Sequence, residues 1–293
     1  MTASTPGPTP WADLSRPPLR AAALRRALVE PAGPWTSLDV VAATGSTNAD
    51  LAERARSGRA VPGAVLTTDD QQAGRGRRDR TWTTPPRSSV AVSLLLQPQV
   101  PRAAWTWLPL VVGVGVVDAL VRVAGLDARL KWPNDVLVGD LKLCGVLAEV
   151  VETPNGTAVV VGIGLNVSQS AEELPVPTAT SLTIAGSATT DRDTVLRAVL
   201  RGVGARYDAW VEADGDPRRS SVGAAYRERC ATIGQQVRVE LPGGDALVGE
   251  AEGVDDAGCL LVRPSSGQVR ALAVGDVVHV RRADAPSDAS STA

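Results

Sequence analysis

Val136-Leu137-Val138, the dipeptide Gly139-Asp140 and the long run Lys142 to Val151 constrain this chain more than any other stretch. Two apolar runs joined by two turn-forming residues read as a β-hairpin, because Gly and Asp accept the backbone that so tight a turn demands. Val159 to Val167 follows as another buried strand. Upstream, the alternation of Val90, Val92, Leu94 and Leu96 predicts a strand with one buried face. Val61 to Thr68 and Ala128 to Trp132 read as strands too. Helical segments are interspersed. Trp105 to Val123 predicts a buried helix, Asp193 to Val211 and Pro217 to Arg229 two more, and Pro18 to Glu30 one short basic helix. Thr47-x-x-Asp50 reads as a helix cap, with Leu51 and Ala55 as an apolar stripe and Gly58 as the stop. The fold class is α+β.

Composition shifts at about Ile233. Val237 to Leu241, Leu247 to Val254, Cys259 to Val262, Val269 to Leu272 and Val277 to Val280 are short and evenly spaced, with turns at Gly243-Gly244, Asp256-Ala257-Gly258 and Ser265-Ser266-Gly267. Strands of this length and spacing predict a small β-barrel. The expected organisation is a disordered tail at 1–15, a large domain at 16–230, a small one at 231–282 and a second disordered tail at 283–293. A chain of 293 residues is long enough for two cores.

Several function classes are excluded early. The net charge of −2 lacks the basic surplus of a dedicated nucleic-acid binder, and with no Phe and two Tyr the chain offers few stacking platforms. Cys144, Cys230 and Cys259 are an odd set without paired spacing, which reads as reduced thiols rather than disulfides or a zinc site. His279 is the only histidine, so histidine-based triads and metal sites are excluded, and Cys144 has no base to activate it. There is no Walker loop, and no G-x-G here completes G-x-G-x-x-G. The longest apolar stretch, about Leu108 to Val121, contains Pro109, Gly113, Gly115 and Asp118 and is shorter than the ~20 residues of a membrane span. With no apolar signal core at the N-terminus, a soluble cytoplasmic protein is expected.

The chemistry is concentrated in Gln71-Gln72-Ala73-Gly74-Arg75-Gly76-Arg77-Arg78-Asp79-Arg80-Thr81-Trp82, which holds four arginines within six residues. Glycine lets backbone approach a ligand closely, and the guanidinium fork matches carboxylate and phosphate oxygens in pairs. Such a loop suits a site that holds several negative charges, although an isolated arginine run is more often a solvated surface loop. Three further segments tip that balance: Lys131-Trp132-Pro133-Asn134-Asp135, Lys142-Leu143-Cys144-Gly145-Val146-Leu147 and Gly162-Ile163-Gly164-Leu165-Asn166. Ser46-Thr47-Asn48 precedes them all.

In this order the segments resemble the signature of biotin protein ligases, GRGRxGRxW, KWPND, K-x-x-G-(I/V)-L and G-x-G-x-N, over about Thr44 to Arg282. The resemblance implies a mixed-sheet catalytic domain of the biotin/lipoate ligase superfamily followed by an SH3-like C-terminal barrel. It implies ATP with Mg²⁺, biotin as substrate and no tightly bound prosthetic group. The reaction makes biotinyl-AMP and then transfers biotin to a lysine of the biotin carboxyl carrier domain of acetyl-CoA or other carboxylases.

Carried over residue by residue, Arg77 and Lys142 are the catalytic candidates. Arg77 retains the adenylate, and Lys142 pairs with the substrate carboxylate and α-phosphate. The biotin site comprises Ser46, Thr47, Asn48, Gln71, Arg75, Gly76, Arg77, Lys142, Gly145, Gly162 and Gly164. The two last glycines leave room against the ligand. The ATP/adenylate site comprises Arg75, Arg77, Arg80, Trp82, Lys131, Asn134, Lys142 and Asn166, with Asn166 on the adenine side and Trp82 either covering the adenylate or packed in the core. Asp135 is the candidate metal ligand, while Arg78 is left to solvent. Asp79 departs from the family's usual glycine and is placed to pair with Arg77 or Arg80. Repressor-type members carry a helix-turn-helix domain that the largely unpatterned residues before Ser46 do not supply, so no specific DNA binding is expected. The runner-up is a lipoate ligase or octanoyltransferase of the same superfamily.

Overall fold

The computed structural model describes residues 15–273 and 275–279, apart from the Asp79 side chain. The expected tails at 1–14 and 283–293, the end of the last expected strand and any pairing of Asp79 lie outside the described residues.

The chain begins with helix α1 (Ala21–Leu28) and strand β1 (Ser37–Thr44), followed by α2 (Thr47–Arg56) and β2 (Ala64–Gln71). Two short strands, β3 (Gly74–Arg75) and β4 (Thr81–Trp82), pair with each other and bracket the arginine loop. Strand β5 (Ser89–Leu96), helix α3 (Leu108–Ala124), β6 (Ala128–Lys131), β7 (Asp135–Val138), β8 (Leu141–Thr153) and β9 (Gly156–Asn166) come next. A seven-stranded mixed sheet results, in the order β1-β2-β5-β9-β8-β7-β6, with β1 parallel to β2 and the other neighbours antiparallel. The expected hairpin is present: Val138 pairs with Leu141, and Gly139 turns the chain at φ +57°. One irregularity matters for the site. The β7–β8 register slips so that Val136 faces Cys144 but Leu137 faces Lys142, which leaves Leu143 as a bulged residue. Leu143 and Cys144 are consequently both buried while Lys142 turns outward.

Helices α4 (Arg192–Glu212) and α3 cover one face of the sheet and share its main core, and α5 (Val222–Arg229) packs on α3. On the other face, Leu51, Ala52 and Ala55 of α2 meet Leu66, Leu95 and Val160. Strand β5 is therefore buried on both faces, not one. The 3₁₀ turn Arg102–Trp107 runs into α3, and together they are long and apolar enough to cross a membrane; most of that length is buried in the protein core.

Several boundaries differ from the sequence reading. Strand β2 starts at Ala64, since Val61 and Pro62 precede the turn at Gly63. Helix α5 starts at Val222, because Pro217 opens a turn whose carbonyl accepts the Gly223 N–H. Ser46, not Thr47, caps α2: its hydroxyl accepts from Ala49 N at 3.4 Å. The residues before Ser46, read as largely unpatterned, contain β1, an edge strand whose weak alternation reflects its exposed side.

The C-terminal segment forms β10 (Gln236–Glu240), β11 (Ala246–Val254), β12 (Leu260–Arg263), β13 (Arg270–Leu272) and β14 (Asp276–His279), in the order β13-β12-β11-β10-β14. The expected barrel is not closed: among the described residues no ladder joins β13 to β14. Yet the two edge strands are only a few residues apart in sequence. Four strand spacings of ~4.8 Å would separate the edges of a flat sheet by roughly 19 Å, further than the link between Leu272 and Asp276 reaches at ~3.4 Å per residue. The sheet must curl. Its turn at Asp255–Cys259 is gripped by three donors from the catalytic domain: Trp107 Nε1 on Asp256 O at 2.7 Å, Thr106 Oγ1 on Ala257 O at 2.6 Å and Trp132 Nε1 on Gly258 O at 3.1 Å. Both indoles are fully buried, so each N–H needs such a partner.

Candidate active site

A cleft of about 1930 Å³ opens between the mixed sheet, the arginine loop and the curled C-terminal sheet. Every candidate residue named from the sequence lines it, from Ser46 to Asn166. The start of α2, the end of β2, the β6–β7 turn, the antiparallel strands β8 and β9 and the β3–β4 loop that folds over them converge to do this.

Part of the cleft is a polar network. Thr47 N and Oγ1 both donate to Gln71 Oε1, at 2.9 and 3.1 Å. The first residues of a helix have amides with no intrahelical partner, and the Gln71 carbonyl takes one of them. Asn48 donates to Leu147 O at 3.3 Å and to Glu149 Oε2 at 2.8 Å, while Ser93 Oγ lies 2.6 Å from Asn48 Oδ1 and 2.8 Å from Thr47 Oγ1. Ser93 is wholly buried, and neither it nor Glu149 stood out in the sequence. Ser93 lies in an apolar strand, and only register across the sheet brings it under α2. Gly162 makes room for Asn48 rather than directly for a ligand, since a Cβ there would overlap the Asn48 amide.

Cations line the cleft as well. Arg75 pairs at 3.2 Å with the same Glu149 oxygen that Asn48 bonds. Arg77 donates to Asn134 Oδ1 and to Gly275 O, both at 3.3 Å, and burial lowers the pKa of its guanidinium against the pull of Asp276 and Asp135. Arg78 is exposed as expected, yet it also reaches Asp276 at 3.3 Å and Glu240 O at 3.3 Å, from a left-handed backbone at φ +53°. Trp82 lies in the cleft. A Cβ on Gly164 would come within 2.7 Å of its Cε2, and its buried Nε1 has no hydrogen-bond partner among the described residues. Gly164 thus admits the Trp82 indole, and the ring in turn faces Lys142, whose Nζ is 5.7 Å from its centroid.

Lys142 Nζ sits 2.7 Å from Asp135 Oδ1, a close ion contact without hydrogen-bond alignment. Lys131 pairs with Asp135 across β6–β7, and burial lowers its ammonium pKa. His279 bonds Thr232 Oγ1 through Nε2 at 3.2 Å, and burial followed by the nearby Lys131 charge pushes its pKa down, so it is a neutral wall of the cleft. Burial pushes the Cys144 thiol up to about 12, in keeping with a packing role. Both ends of the Asn166 amide are taken by protein, donating to Thr180 O at 2.9 Å and accepting from Gln169 at 3.0 Å, so it braces the cleft wall. Among the described residues no three His, Cys, Asp or Glu groups cluster as a metal site.

The Biotin/lipoate A/B protein ligase family model matches residues 40–166, and the Biotin protein ligase C terminal domain model matches 232–280. The biotin--[acetyl-CoA-carboxylase] ligase of Mycobacterium tuberculosis is 44% identical over 92% of this chain and 98% of its own length. The ligase of the same name from Paracoccus denitrificans is 34% identical over 78% and 95%. Among solved structures, the biotin protein ligase from Aquifex aeolicus in complex with biotin and ATP superposes with a TM-score of 0.71 at 28% identity, covering 84% of this chain and all of that one. The sheet and its cleft are thus of the biotin/lipoate ligase class. Within that class, the chain belongs to the biotin protein ligase family.

Proposed function

We propose that this protein is an ATP-dependent biotin protein ligase, forming a C–N bond between biotin and a lysine of a biotin carboxyl carrier domain of acetyl-CoA or other carboxylases. The observation that carries the reading is one cleft lined both by the hydrogen-bonding side chains of Ser46, Thr47, Asn48 and Gln71 and by the cations Arg75, Arg77, Lys131 and Lys142. Biotin has the matching polarity: a ureido ring with two N–H donors and a carbonyl, and a carboxylate at the far end of its chain. Ser46, Thr47, Asn48 and Gln71 are the groups for the ring. Lys142, Arg75 and Arg77 are those for the carboxylate and the ATP phosphates.

The first step joins two anions. The biotin carboxylate oxygen attacks the α-phosphorus, the bond to the β-phosphate oxygen breaks, and pyrophosphate leaves. Lys142 offsets the repulsion between carboxylate and phosphate as they approach and stabilises the charge that develops. Arg77, held by Asn134, stays on the adenylate phosphate and keeps the mixed anhydride bound. Trp82 and the loop shield the anhydride from water until the carrier amine arrives. That amine attacks the acyl carbon, AMP leaves and the amide forms. Asp135 Oδ1 already sits 2.7 Å from Lys142 Nζ and no cluster of metal ligands surrounds it among the described residues, so magnesium would come on ATP's own phosphates, whose charge it would offset.

Lipoate would bring an apolar dithiolane with no N–H or carbonyl for Ser46, Thr47, Asn48 and Gln71, and so would forgo the hydrogen bonds that biotin's ureido ring can make there. The family relationship likewise favours biotin. ATP–pyrophosphate exchange with biotin, with lipoate and with neither tests the reading. Exchange that requires biotin is expected, and exchange driven by lipoate but not by biotin would overturn it.

A further inference from the structure

Three guanidinium groups of the β3–β4 loop converge on one carboxylate supplied by the C-terminal sheet. Asp276 lies 2.5 Å from Arg80, 3.3 Å from Arg78 and 3.9 Å from Arg77. It opens β14, where Glu240 of β10 faces it across the ladder, and its side chain is only 17% exposed. Main-chain carbonyls flank it: Arg78 also reaches Glu240 O, and Arg77 reaches Gly275 O. The sheet that carries this carboxylate is itself fixed to the catalytic domain by Trp107, Thr106 and Trp132. The anchor is therefore as rigid as the domain contact.

The distances rank the three arginines. Arg80 and Arg78 make hydrogen-bonded ion pairs with Asp276, whereas Arg77 makes only a long ion contact. Arg77 is thus the cation least bound to Asp276 and the most desolvated, its other partners being the neutral oxygens of Asn134 and Gly275, a combination that favours exchange onto a stronger anion. A phosphate offers more charge and more acceptor oxygens than a carboxylate. Arg77 can pass to it while Arg78 and Arg80 stay on Asp276.

We propose that Asp276 is a positioning residue for the arginine loop, holding Arg78 and Arg80 on the C-terminal sheet so that Arg77 is presented to the nucleotide phosphate. The phosphate half of this statement rests on the ligase reading; the holding half does not. The C-terminal sheet then acts in the first chemical step through the loop, without touching biotin.

The loop carries its own reporter, because trypsin cleaves after arginine. In full-length Asp276→Asn protein, without biotin or ATP, tryptic cleavage between Arg75 and Arg80 rises on the order of tenfold over wild type, since an ion-pair cluster no longer closes the loop and cleavage follows the open population. Arg80→Gln raises it similarly, and the double variant no further than the larger single change, because both remove one shared contact. Asp276→Glu restores part of the protection. With biotin and ATP added, wild type and Asp276→Asn become equally protected, and in pyrophosphate exchange Asp276→Asn raises the KM for ATP several-fold more than it lowers kcat. Wild-type loop cleavage in Asp276→Asn, or additive effects in the double variant, overturns the proposal. If Asp276→Asn also opens sites at Arg263 and Arg270, the C-terminal sheet has lost its fold. Arg80→Gln, which leaves that sheet unaltered, then decides by the same criterion. Loop cleavage does not depend on activity, so a failed ligase assay and a failed anchor are told apart.

Discussion

Replacing Lys142 by Met removes one charge and keeps the length of the side chain. Two consequences follow from its surroundings. The cation that faces the reacting carboxylate and phosphate is gone, and Asp135, 2.7 Å from the lost ammonium, loses its nearest counter-ion at the cleft wall. Two unit charges ~4 Å apart at an effective dielectric of about 20 interact by roughly 4 kcal/mol, which bounds what Lys142 offsets between the reactants. Removing one preorganised charge stabiliser elsewhere costs about 10²–10³ in rate, or about 3–4 kcal/mol, and that is the loss expected in kcat for adenylation. Lys142 and Asp135 are 35% and 21% exposed, so solvent screens the leftover carboxylate and its effect is smaller, about tenfold on the KM for ATP. The two contributions separate in a double variant. Lys142→Met with Asp135→Asn recovers the ATP KM, because the stranded anion is gone, and leaves kcat low, because the cation is still missing. Initial rates of pyrophosphate exchange at saturating biotin, with ATP varied, measure both. A Lys142→Met enzyme within fivefold of wild-type kcat, or a double variant that regains kcat, would show that Lys142 is not the charge that brings the anions together.

Gly164→Ala places a methyl 2.7 Å from the Trp82 indole, and overpacking of this kind costs about 1–3 kcal/mol. Because the clash is with a loop side chain, adenylation falls at least tenfold while the melting temperature hardly moves; a melting loss without an activity loss would place Trp82 outside the site. Arg77→Gly keeps measurable adenylation but leaks biotinyl-AMP, so labelling of bystander lysines rises several-fold, and wild-type retention of the adenylate would remove Arg77 from this role. Truncation after Arg229 removes the turn that accepts from the Trp107 and Trp132 indole N–H groups and exposes the apolar core those rings share with the C-terminal sheet. The truncated protein melts earlier and, where circular dichroism shows it folded, loses carrier transfer more than biotin binding; full-length transfer rates would mean the C-terminal sheet has no part in the second step.

The hairpin at Gly139-Asp140, the buried β9 and the long α3 were legible because each is written locally, in a turn dipeptide or an unbroken apolar run. The edge strand β1 was not, since a strand with one solvated side and a parallel neighbour leaves a weak alternation. Most candidate residues could be named because they lie within short contiguous segments. Their partners could not. Ser93 and Glu149 meet the lining residues Asn48 and Arg75, and Asp276 meets the cleft itself, through sheet register and domain docking, and nothing in their local sequence marks them. The same limit misread the glycines: Gly162 and Gly164 leave space as expected, but Asn48 and Trp82 stand in it. Arg78 read as a surface charge because its counter-ion lies almost two hundred residues away in the chain.

The central claim is that this cleft makes and holds an acyl-adenylate of biotin. Native mass spectrometry after rapid desalting of the full-length protein incubated with biotin, magnesium and ATP tests it directly. A mass increase equal to one biotinyl-AMP per chain is expected, lost on adding a biotin carboxyl carrier domain as that domain gains one biotin. A protein that emerges with no adenylate, and a carrier that stays unmodified, would contradict it.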